Sequence, residues 1–436
     1  METYLEIIYN PQKEEWGKIL RDNTSKSSWQ NDAGVSLIVK NVAEGGDQAL
    51  LSYVRIFDKI NLKASQMLVS EEEYNQASNC ISNDLANAID CAINNVKKFH
   101  ASQKNEDIEV ETMPGVVCKQ KNIPIPRVGL YIPGGTAPLF STVIMLAVPA
   151  KLAGCKEIIL CTPVNKDGKV APEVLYCAKL CGVDKVYKVG GPAAIAAMAY
   201  GTATIPKVNK IFGPGNSYVT MAKQIVSRDV CAIDMPAGPS EVMIIADDSA
   251  KPEYICSDFL SQLEHGNDSQ AVLATTSEQL AKSVQKLLSV QFNELSRQSY
   301  IEQSLKNSRI IVVESDDELV EIANEYAPEH LIICTKDYNS IADRIENAGS
   351  IFLGNYSTES AGDYASGTNH TLPTSGWAQS FSGVNLQSFT KKITIQEITK
   401  EGLCNIAPII TTMAAAEGLD AHAKSVEIRL NDINKQ

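Results

Sequence analysis

Two runs of alternating strand-like and helix-like segments occupy most of the chain and constrain the fold more than any other feature. Short apolar segments alternate with apolar helical segments between residues 128 and 212, and the same alternation extends from 242 to 353. Strands separated by helices pair in parallel, with helices on both faces of the sheet. The sequence therefore predicts an α/β protein with two Rossmann-like parallel-sheet domains. The likeness of KLAGCKEIILCTP to QLEHGNDSQAVLATT suggests an internal duplication.

The predicted elements set the domain organisation. The strands are expected at 128–132, 157–161, 185–189, 210–212, 242–246, 271–275, 309–313, 330–334 and 350–353. Between them, helices are expected at 139–153, 171–181, 193–200, 252–265, 278–290, 317–326 and 340–347. A helical layer (35–103), a hairpin (110–119) and a weaker helical tail (395–430) complete the chain. We expect a small helical N-terminal segment (1–25) that ends in a Ser/Asn-rich hinge (23–31), a first Rossmann-like domain (26–130 with 240–382), a second one (131–239) and a helical C-terminal segment (383–436).

Charge and cysteine usage narrow the class of protein. The net charge is -13 and the pI about 5.0, which argues against nucleic acid or an anionic membrane as the main partner. The start METYLEIIYN lacks the basic and apolar regions of a secretory signal, and the apolar stretch 139–150 is too short to span a bilayer. Eleven cysteines without a C-x-x-C pair are typical of a reduced cytoplasm, which is the location we expect.

Three Gly-rich turns follow predicted strands: YIPGGT (131–136), GGPAAIAA (190–197) and GPGN (213–216). Turns at the carboxyl ends of parallel strands can bring backbone N–H groups to a ligand. A complete G-x-G-x-x-G motif is missing. Together, the three turns in one sheet favour a bound cofactor.

Four short motifs contain candidate chemical residues. Gln262 and His265 are three apart near a helix end, where they share one face. Glu329 and His330 pair a carboxylate with an imidazole at the start of an apolar strand, as general acid–base catalysis requires. Structural roles, such as surface hydrogen bonds or a histidine at a strand edge, would give the same local patterns. The remaining candidates are Asp363 and His370 in a long polar segment (359–378), and Glu417 and His422 in the tail.

A metal set emerges from these motifs: Gln262, His265, Asp363 and His422. Nitrogen and oxygen donors without a thiolate suit zinc, or manganese as a substitute.

Seven ordered motifs resemble the histidinol dehydrogenase family: RVGLYIPGGTAPL, IFGPGN, DMPAGPSEV, SQLEHGNDSQ, YAPEHL, ESAGDYASGTNHTLPTSG and EGLDAHA. The resemblance spans essentially the whole chain. It implies a zinc enzyme, with one zinc ion per subunit, that oxidises L-histidinol to L-histidine through L-histidinal with two NAD, the last step of histidine biosynthesis. It also implies a homodimer whose active site borrows the partner's C-terminal segment.

The resemblance assigns roles to individual residues. Gln262, His265 and Asp363 would bind zinc in one subunit, and His422 would come from the other. His330 would be the general base, which also contacts substrate, and Glu329 would activate the water that attacks the aldehyde. The remaining substrate-binding positions would be Ser240, His370 and Glu417, and the metal would hold the amine and imidazole of the substrate. For NAD, the resemblance indicates Tyr131 and Asn216.

One position departs from the family pattern. The family usually has Gln in the GG-x-Q-A-I turn, where this chain has Ala193. We expect a modest loss of NAD affinity, because one neutral hydrogen bond contributes about 0.5–1.5 kcal/mol.

Three other hypotheses compete with this assignment. A paralogous NAD- and metal-dependent dehydrogenase could act on another small alcohol, such as a sulfonated diol, although EGLDAHA favours histidinol. A non-catalytic protein that binds a nucleotide or a metal would need a broken Glu/His pair or metal set, and both are intact. Cys118 or Cys155 as a nucleophile lacks a neighbour that would lower the thiol pKa.

Overall fold

The computed structural model describes residues 5–21, 32–134 and 138–435. The chain divides into two compact units, Met1–Ser102 with Pro126–Phe389 and Gln103–Ile125 with Thr390–Gln436. The predicted hinge at 23–31 and the end of the first Gly-rich turn lie outside the described residues. The predicted division of the chain into two Rossmann-like domains with terminal segments stays a prediction.

The strands and helices are numbered in chain order within the described residues. The strands are β1 (Ile7–Tyr9), β2 (Ile108–Met113), β3 (Val116–Pro124), β4 (Arg127–Tyr131), β5 (Glu157–Thr162), β6 (Lys185–Lys188), β7 (Lys210–Phe212), β8 (Ala232–Ile233), β9 (Glu241–Ala246), β10 (Gln270–Thr275), β11 (Arg309–Val312), β12 (His330–Cys334), β13 (Ser350–Leu353) and β14 (Thr390–Ile398). The helices are α1 (Trp16–Arg21), α2 (Asp32–Phe57), α3 (Glu71–Cys80), α4 (Asn83–Ala101), α5 (Ser141–Ala153), α6 (Pro172–Leu180), α7 (Gly191–Tyr200), α8 (Ser217–Asp229), α9 (Pro252–Leu263), α10 (Glu278–Phe292), α11 (Gln298–Ser304), α12 (Asp316–Tyr326), α13 (Tyr338–Ala342), α14 (Glu359–Tyr364), α15 (Lys400–Ala416) and α16 (Asp420–Ile433).

The first unit contains two parallel sheets, which confirms the predicted fold class. Sheet A has the strand order β1-β11-β10-β9-β12-β13, and sheet B has the order β6-β5-β4-β7-β8. Numbered within its own run, each sheet has the order 3-2-1-4-5, and sheet A adds β1 at one edge. The order reverses between β9 and β12 in sheet A, and between β4 and β7 in sheet B. Such reversal points are where open α/β sheets form ligand crevices.

The central strands are apolar on both faces because helices cover both sides of each sheet. In β9, Val242 and Ile244 belong to one apolar cluster of sheet A, whereas Met243 and Ile245 belong to another. Successive side chains of a strand point to opposite faces, so the clusters flank the sheet. In sheet B, one apolar cluster unites strand residues with residues of α2, α7 and α8. Within the described chain, no helix is both long and apolar enough to cross a membrane.

The second unit is built on an antiparallel sheet with the strand order β14-β3-β2. Strand β14 pairs with β3 along its full length, from Thr390 opposite Pro124 to Ile398 opposite Val116. Helices α15 and α16 follow. The Thr399 side chain begins α15 by accepting a hydrogen bond from the Gly402 N–H.

The structure corrects several predicted elements. Strand β1 lies in the N-terminal segment (1–25) and β14 in the C-terminal segment (383–436), and both segments had been expected to be helical. Strand β1 pairs with β11, about 300 residues away, so no local sequence pattern predicts it. The sequence of β14 does alternate between apolar and polar residues around Ile393 and Ile395, a period-2 signal that the helical prediction overlooked.

Helix boundaries also differ from the predictions. Helix α9 ends at Leu263 with Glu264 as its C-cap, so it is shorter than the predicted 252–265. The tail is two helices, because α15 ends at Ala416 and α16 begins at Asp420. The predicted helix at 340–347 is shorter and earlier, since the Asp337 side chain caps α13 through the Ser340 N–H.

Candidate active site

The candidate active site lies in the first unit, where two sheet edges meet. Glu241 and His330 are the first residues of β9 and β12, so they lie at the amino edge of sheet A, at its reversal point. Thr142, in the first turn of α5, follows β4 at the carboxyl edge of sheet B. The Nε2 atom of His370 lies 3.3 Å from Oγ1 of Thr142. This contact connects the carboxyl edge of sheet B to the amino edge of sheet A.

The Glu329–His330 pair lies at the end of the short segment that connects helix α12 to strand β12. Helix α12 ends at Tyr326, and its C-cap residue Ala327 has a φ of 47°, in the left-handed region that non-glycine residues rarely adopt. Pro328 then leads into Glu329, whose Oε2 accepts a hydrogen bond from the Glu241 N–H at 2.9 Å. Both members of the pair are buried, Glu329 at 7% and His330 at 4% exposure. Backbone strain at such a position is typical of functional sites.

The His330 ring is held in one orientation. Its Nδ1 lies 3.2 Å from the carbonyl oxygen of Glu241, closer than to Glu329 Oε2 at 3.6 Å or Glu359 Oε1 at 3.7 Å. A carbonyl oxygen only accepts, so Nδ1 carries the proton and Nε2 keeps its lone pair. Burial lowers the pKa of His330 to about 4. The ring is therefore neutral near pH 7 and can accept a proton at Nε2.

Burial also raises the pKa of Glu329 well above its usual range, although the hydrogen bond from the Glu241 backbone N–H works against this. The negative charges of Glu241 and Asp363 raise it further. A carboxylate with a raised pKa is a stronger base once it is ionised, which suits the activation of water.

A cluster of metal-binding side chains lies beside this pair. His265, Glu359 and Asp363 each offer one ligand atom, and these atoms all lie within 4.8 Å of one another. The His265 Nε2 is 3.9 Å from Asp363 Oδ2. Glu359 and Asp363 are four residues apart in α14, so their side chains share one helix face. The converging nitrogen and oxygen donors fit a zinc ion.

Gln262 completes this cluster from α9 and is fully buried. In the amide orientation that satisfies hydrogen bonding, its nitrogen donates to both carboxylate oxygens of Glu359, with Oε2 at 3.0 Å. Its carbonyl oxygen then lies 2.8 Å from the Glu241 backbone nitrogen, whose N–H it shares as an acceptor with Glu329 Oε2. Because a carbonyl oxygen has two lone pairs, one remains for a cation.

The carboxyls of Glu359 and Asp363 are both buried. Burial raises the pKa of Glu359 well above its usual range, and the nearby Asp363, Glu329 and Asp258 add to the effect. Burial also acts to raise the pKa of Asp363, but the hydrogen bond and charge of His370, together with the charges of His330 and His265, more than offset it, so the pKa of Asp363 falls below its ordinary value. His370 Nδ1 lies 3.6 Å from Asp363 Oδ1. A cation at this place would relieve the repulsion among the carboxyls.

The segment 359–378 is more buried than a solvated polar loop would be. Glu359, Asn369, Thr371 and Thr374 are all buried. The Asn369 amide donates to the Met145 carbonyl oxygen at 2.7 Å and lies 3.4 Å from Nε2 of the buried His100. These contacts fix the backbone next to His370.

The Gly-rich turns meet at the carboxyl edge of sheet B. Tyr131, the last residue of β4, is buried, and its hydroxyl accepts a hydrogen bond from the Gly191 N–H at 3.0 Å. A Cβ atom at Gly190 would lie 2.5 Å from the Cβ of Pro163, so this close approach requires glycine. Asn216 is exposed and caps α8 by accepting from the Val219 N–H at 3.1 Å. The residues predicted to bind NAD thus lie on one edge, where the sheet order reverses.

The other predicted positions are distributed over both units. Ser240 directly precedes Glu241 at the amino edge of sheet A, and its carbonyl oxygen accepts from the Gln270 N–H at 3.0 Å. Glu417 and His422 are exposed and belong to the second unit, Glu417 as the C-cap of α15 and His422 in the first turn of α16.

Sequence reasoning missed two residues of the site. Glu359 lies in the metal-binding cluster, and its spacing of four from Asp363 was a signal that could have revealed it. Glu241 holds Glu329 through its N–H and His330 through its carbonyl oxygen. These contacts are made by the backbone, so the residue type at position 241 gives no indication of them. Fold and site together define an α/β enzyme with a buried acid–base centre.

Comparisons with known proteins identify the family. The histidinol dehydrogenase family model matches residues 21–430. Histidinol dehydrogenase of Bacteroides thetaiotaomicron is 53% identical over 429 residues, 98% of this chain and 100% of the relative. That of Vibrio parahaemolyticus is 51% identical over 405 residues, 92% of this chain and 93% of the relative. The crystal structure of histidinol dehydrogenase from Elizabethkingia anophelis has a TM-score of 0.94 and 48% identity, covering 99% of both chains. The chain belongs to the histidinol dehydrogenase family of NAD-dependent oxidoreductases.

Proposed function

We propose that the protein oxidises L-histidinol to L-histidine through L-histidinal, using two NAD and one zinc ion per subunit, as the last step of histidine biosynthesis. One observation carries the proposal: the buried Glu329–His330 pair adjoins the cluster of Gln262, His265 and Asp363 in a member of this family. The eleven free cysteines agree with a cytoplasmic enzyme.

Zinc would be held by Gln262, His265 and Asp363, with His422 of a second subunit as the fourth ligand. When bound, it would hold the amine and imidazole nitrogens of the substrate in place. Glu359, which accepts from the Gln262 amide, lies close enough to orient that ligand. Outer contacts of this kind commonly set ligand geometry.

His330 would remove the hydroxyl proton of the alcohol while a hydride passes from the same carbon to NAD. The Nδ1–H of His330 donates a hydrogen bond to the Glu241 carbonyl oxygen, so the lone pair at Nε2 is the acceptor of the substrate proton. The neutral state of the buried ring is the form that this step needs. The products of the step are the aldehyde, NADH and a protonated His330.

Glu329 would take a proton from water as the water oxygen attacks the aldehyde. The carbonyl oxygen would take up the proton that His330 gained in the first step, which gives the hydrate and returns His330 to its neutral form. The hydrate is again an alcohol, so His330 can accept its hydroxyl proton in a second hydride transfer to a second NAD. Both groups are buried, and a buried site keeps the reactive aldehyde from release. His370 and Ser240 would hold substrate at the edges of the site.

NAD would bind at the carboxyl edge of sheet B, near Tyr131 and Asn216. The support is geometric, because the reversal point between β4 and β7 places the turns after these strands side by side. His370 connects this edge to the acid–base centre through Thr142. A nucleotide there would lie beside the substrate, as hydride transfer requires.

We further propose a homodimer in which Glu417 and His422 complete the partner's site. The second unit exposes large apolar side chains on its helices, among them Ile409, Met413 and Ile428, as an interface would. Mixing two inactive variants, His265→Ala and His422→Ala, tests the sharing. If the site is shared, half of the randomly re-formed dimers contain one intact site, and about a quarter of the activity returns. If His422 acts within its own chain, no activity returns.

The first experiment is to measure NADH production from L-histidinol with zinc, before and after chelation. Two NADH per histidinol, lost on chelation and restored by zinc, would support the reaction and the metal together. A folded, zinc-loaded protein that leaves histidinol unchanged would refute the substrate and transfer the assignment to a dehydrogenase of another small alcohol. A sulfonated diol is the substrate to try next.

A further inference from the structure

We infer that a buried ion pair between Lys223 and Asp234 positions the GPGN turn for NAD and thereby determines nucleotide affinity. The inference rests on the proposed function, since it concerns the NAD side of the site. Lys223 and Asp234 are positioning residues, because they act on the turn through backbone contacts.

The pair is sealed from solvent. Lys223 Nζ lies 2.5 Å from Asp234 Oδ1, and the two side chains are 3% and 1% exposed. Lys223 projects from α8, whose Val219, Ala222 and Val226 belong to the apolar cluster of sheet B. Removing two charges from water costs much of what their attraction returns. A buried ion pair in such surroundings is therefore poorly explained by stability alone.

The two charges hold the backbone of Gly213 on both sides of its Cα atom, one at each of the flanking peptide groups. Asp234 Oδ2 accepts a hydrogen bond from the Gly213 N–H at 2.7 Å. Lys223 Nζ donates to the Gly213 carbonyl oxygen at 2.8 Å. Both hydrogen bonds involve a charged group, which makes them stronger and more directional than neutral ones. The backbone orientation at Gly213 is thus fixed by the ion pair.

Gly213, the first residue of the turn, packs directly against the backbone of Tyr131 at the end of the neighbouring strand β4. Its φ of 124° favours glycine, and a Cβ atom there would lie 2.1 Å from the carbonyl oxygen of Tyr131. The turn continues through Pro214 and Gly215 to Asn216, which caps α8. Tyr131 and Asn216 are the two residues proposed to bind NAD. A shift at Gly213 would change the distance between them.

The remaining contacts of Asp234 anchor the pair to the sheet. Asp234 follows β8, its N–H donates to the Ile211 carbonyl oxygen at 3.0 Å, and its Oδ1 accepts from the Met235 N–H at 2.8 Å. The aspartate is therefore held by β7 and by the segment after β8. Lys223 supplies the other half of the pair, and its removal should release the Gly213 carbonyl oxygen without detaching Asp234 from the sheet.

The test compares Lys223→Met, Lys223→Arg, Asp234→Asn and the double variant Lys223→Met/Asp234→Asn with the wild type. Arg228→Met is the matched control, because it removes an exposed cation from the same helix. The dissociation constant of NAD is measured by calorimetry in the absence of histidinol. The KM values of NAD and histidinol, zinc content and melting temperature are measured in parallel.

We expect Lys223→Met to weaken NAD binding about tenfold or more, as the loss of a charge-assisted hydrogen bond allows. The KM of histidinol at saturating NAD and the zinc content should stay unchanged. Lys223→Arg should recover part of the affinity, and Arg228→Met should bind NAD like the wild type. If Lys223→Met does not fold, the double variant decides the question, because it leaves no unpaired buried charge.

Three results would overturn the inference. The first is a folded double variant with wild-type NAD affinity. The second is an equal rise in the KM of NAD and of histidinol, which would indicate general loosening. The third is a wild-type protein that binds no NAD, which would overturn the proposed function as well. The first two results, in a protein whose wild type binds NAD, would overturn the positioning role alone.

Discussion

The Nδ1 atom of His330 lies 3.2 Å from the carbonyl oxygen of Glu241, and this contact decides which ring nitrogen can act as a base. The same residue holds Glu329 through its backbone N–H at 2.9 Å. The backbone of one residue at the start of β9 thus orients both members of the acid–base pair. The orientation depends on the backbone of Glu241, so it persists when that side chain is changed.

Replacing His330 should abolish most turnover while leaving the metal in place. General-base catalysis contributes about 10²–10⁴-fold to rate, so His330→Ala should lower kcat by that factor. His330→Asn is a matched variant, because its amide can still donate to the Glu241 carbonyl oxygen but cannot accept the proton. Steady-state kinetics and zinc analysis check both variants. Retained activity in either one would refute the assigned base.

Replacing Glu359 by Gln should weaken zinc binding but not the metal-free fold. The carboxyl accepts from the Gln262 amide, and losing such an outer contact typically lowers metal affinity about 10–100-fold. The change also removes a group from a crowded set of acids, so the melting temperature of the metal-free protein should stay level or rise. A zinc titration and a thermal melt measure the two effects. Glu294→Gln, an exposed change, is the control, and wild-type zinc affinity in Glu359→Gln would contradict the prediction.

Adding zinc to the metal-free protein should raise its melting temperature. A ligand at 100 times its Kd stabilises the folded state by about 2.7 kcal/mol, provided that it does not bind the unfolded chain. The converging atoms of His265, Glu359 and Asp363 are the reason to expect such binding. The shift should be absent in His265→Ala and with magnesium in place of zinc. An equal shift with magnesium would instead indicate unspecific charge neutralisation.

Ala193→Gln should strengthen NAD binding modestly, by the roughly 0.5–1.5 kcal/mol of one hydrogen bond. The structure adds a cost to this change. Ala193 is 2% exposed within the apolar cluster of sheet B, and overpacking a core typically costs about 1–3 kcal/mol. Affinity should therefore rise while the melting temperature falls. Calorimetry and thermal melts separate the two, and an unchanged affinity would exclude a missing hydrogen bond at this turn.

Acid should weaken the contact between α3 and sheet B. Burial acts to raise the pKa of Glu73, but its hydrogen bonds with Lys188 and Ser70 more than offset it, so the folded-state pKa lies below the unfolded value. The stabilisation is thus present above the unfolded pKa of Glu73 and disappears as the pH falls through the folded one. Glu73→Gln should lower the free energy of unfolding by about 1 kcal/mol at neutral pH. In acid it should leave the free energy of unfolding unchanged. Urea unfolding at several pH values would show this, and a cost independent of pH would contradict it.

The regular part of the fold was predictable from local patterns. Buried strands such as β12 and helices such as α4 have apolar periods and end signals within their own sequence. The strands β1 and β14 were missed for different reasons. Strand β1 is three residues long and defined only by a distant partner, whereas the alternation in β14 was present but was outweighed by its helical surroundings.

The candidate site divides in the same way. The side chains of Glu329, His330, Gln262 and His265 stand in short motifs, so the sequence indicates them. Their mutual geometry depends on β9 and β12 being neighbours, which follows from the strand order. The role of the Glu241 backbone could not be predicted, because it depends on where the chain passes.

The identical strand order of the two sheets has a consequence for how this protein can change. Sheet B presents its turns at the carboxyl edge, and sheet A presents its acid–base pair at the amino edge. Under the proposed function, dinucleotide recognition and alcohol chemistry are therefore encoded in separate loops on separate scaffolds. Changes in the loops of sheet A, in evolution or by design, could therefore exchange one alcohol substrate for another while the NAD site on sheet B stays unchanged.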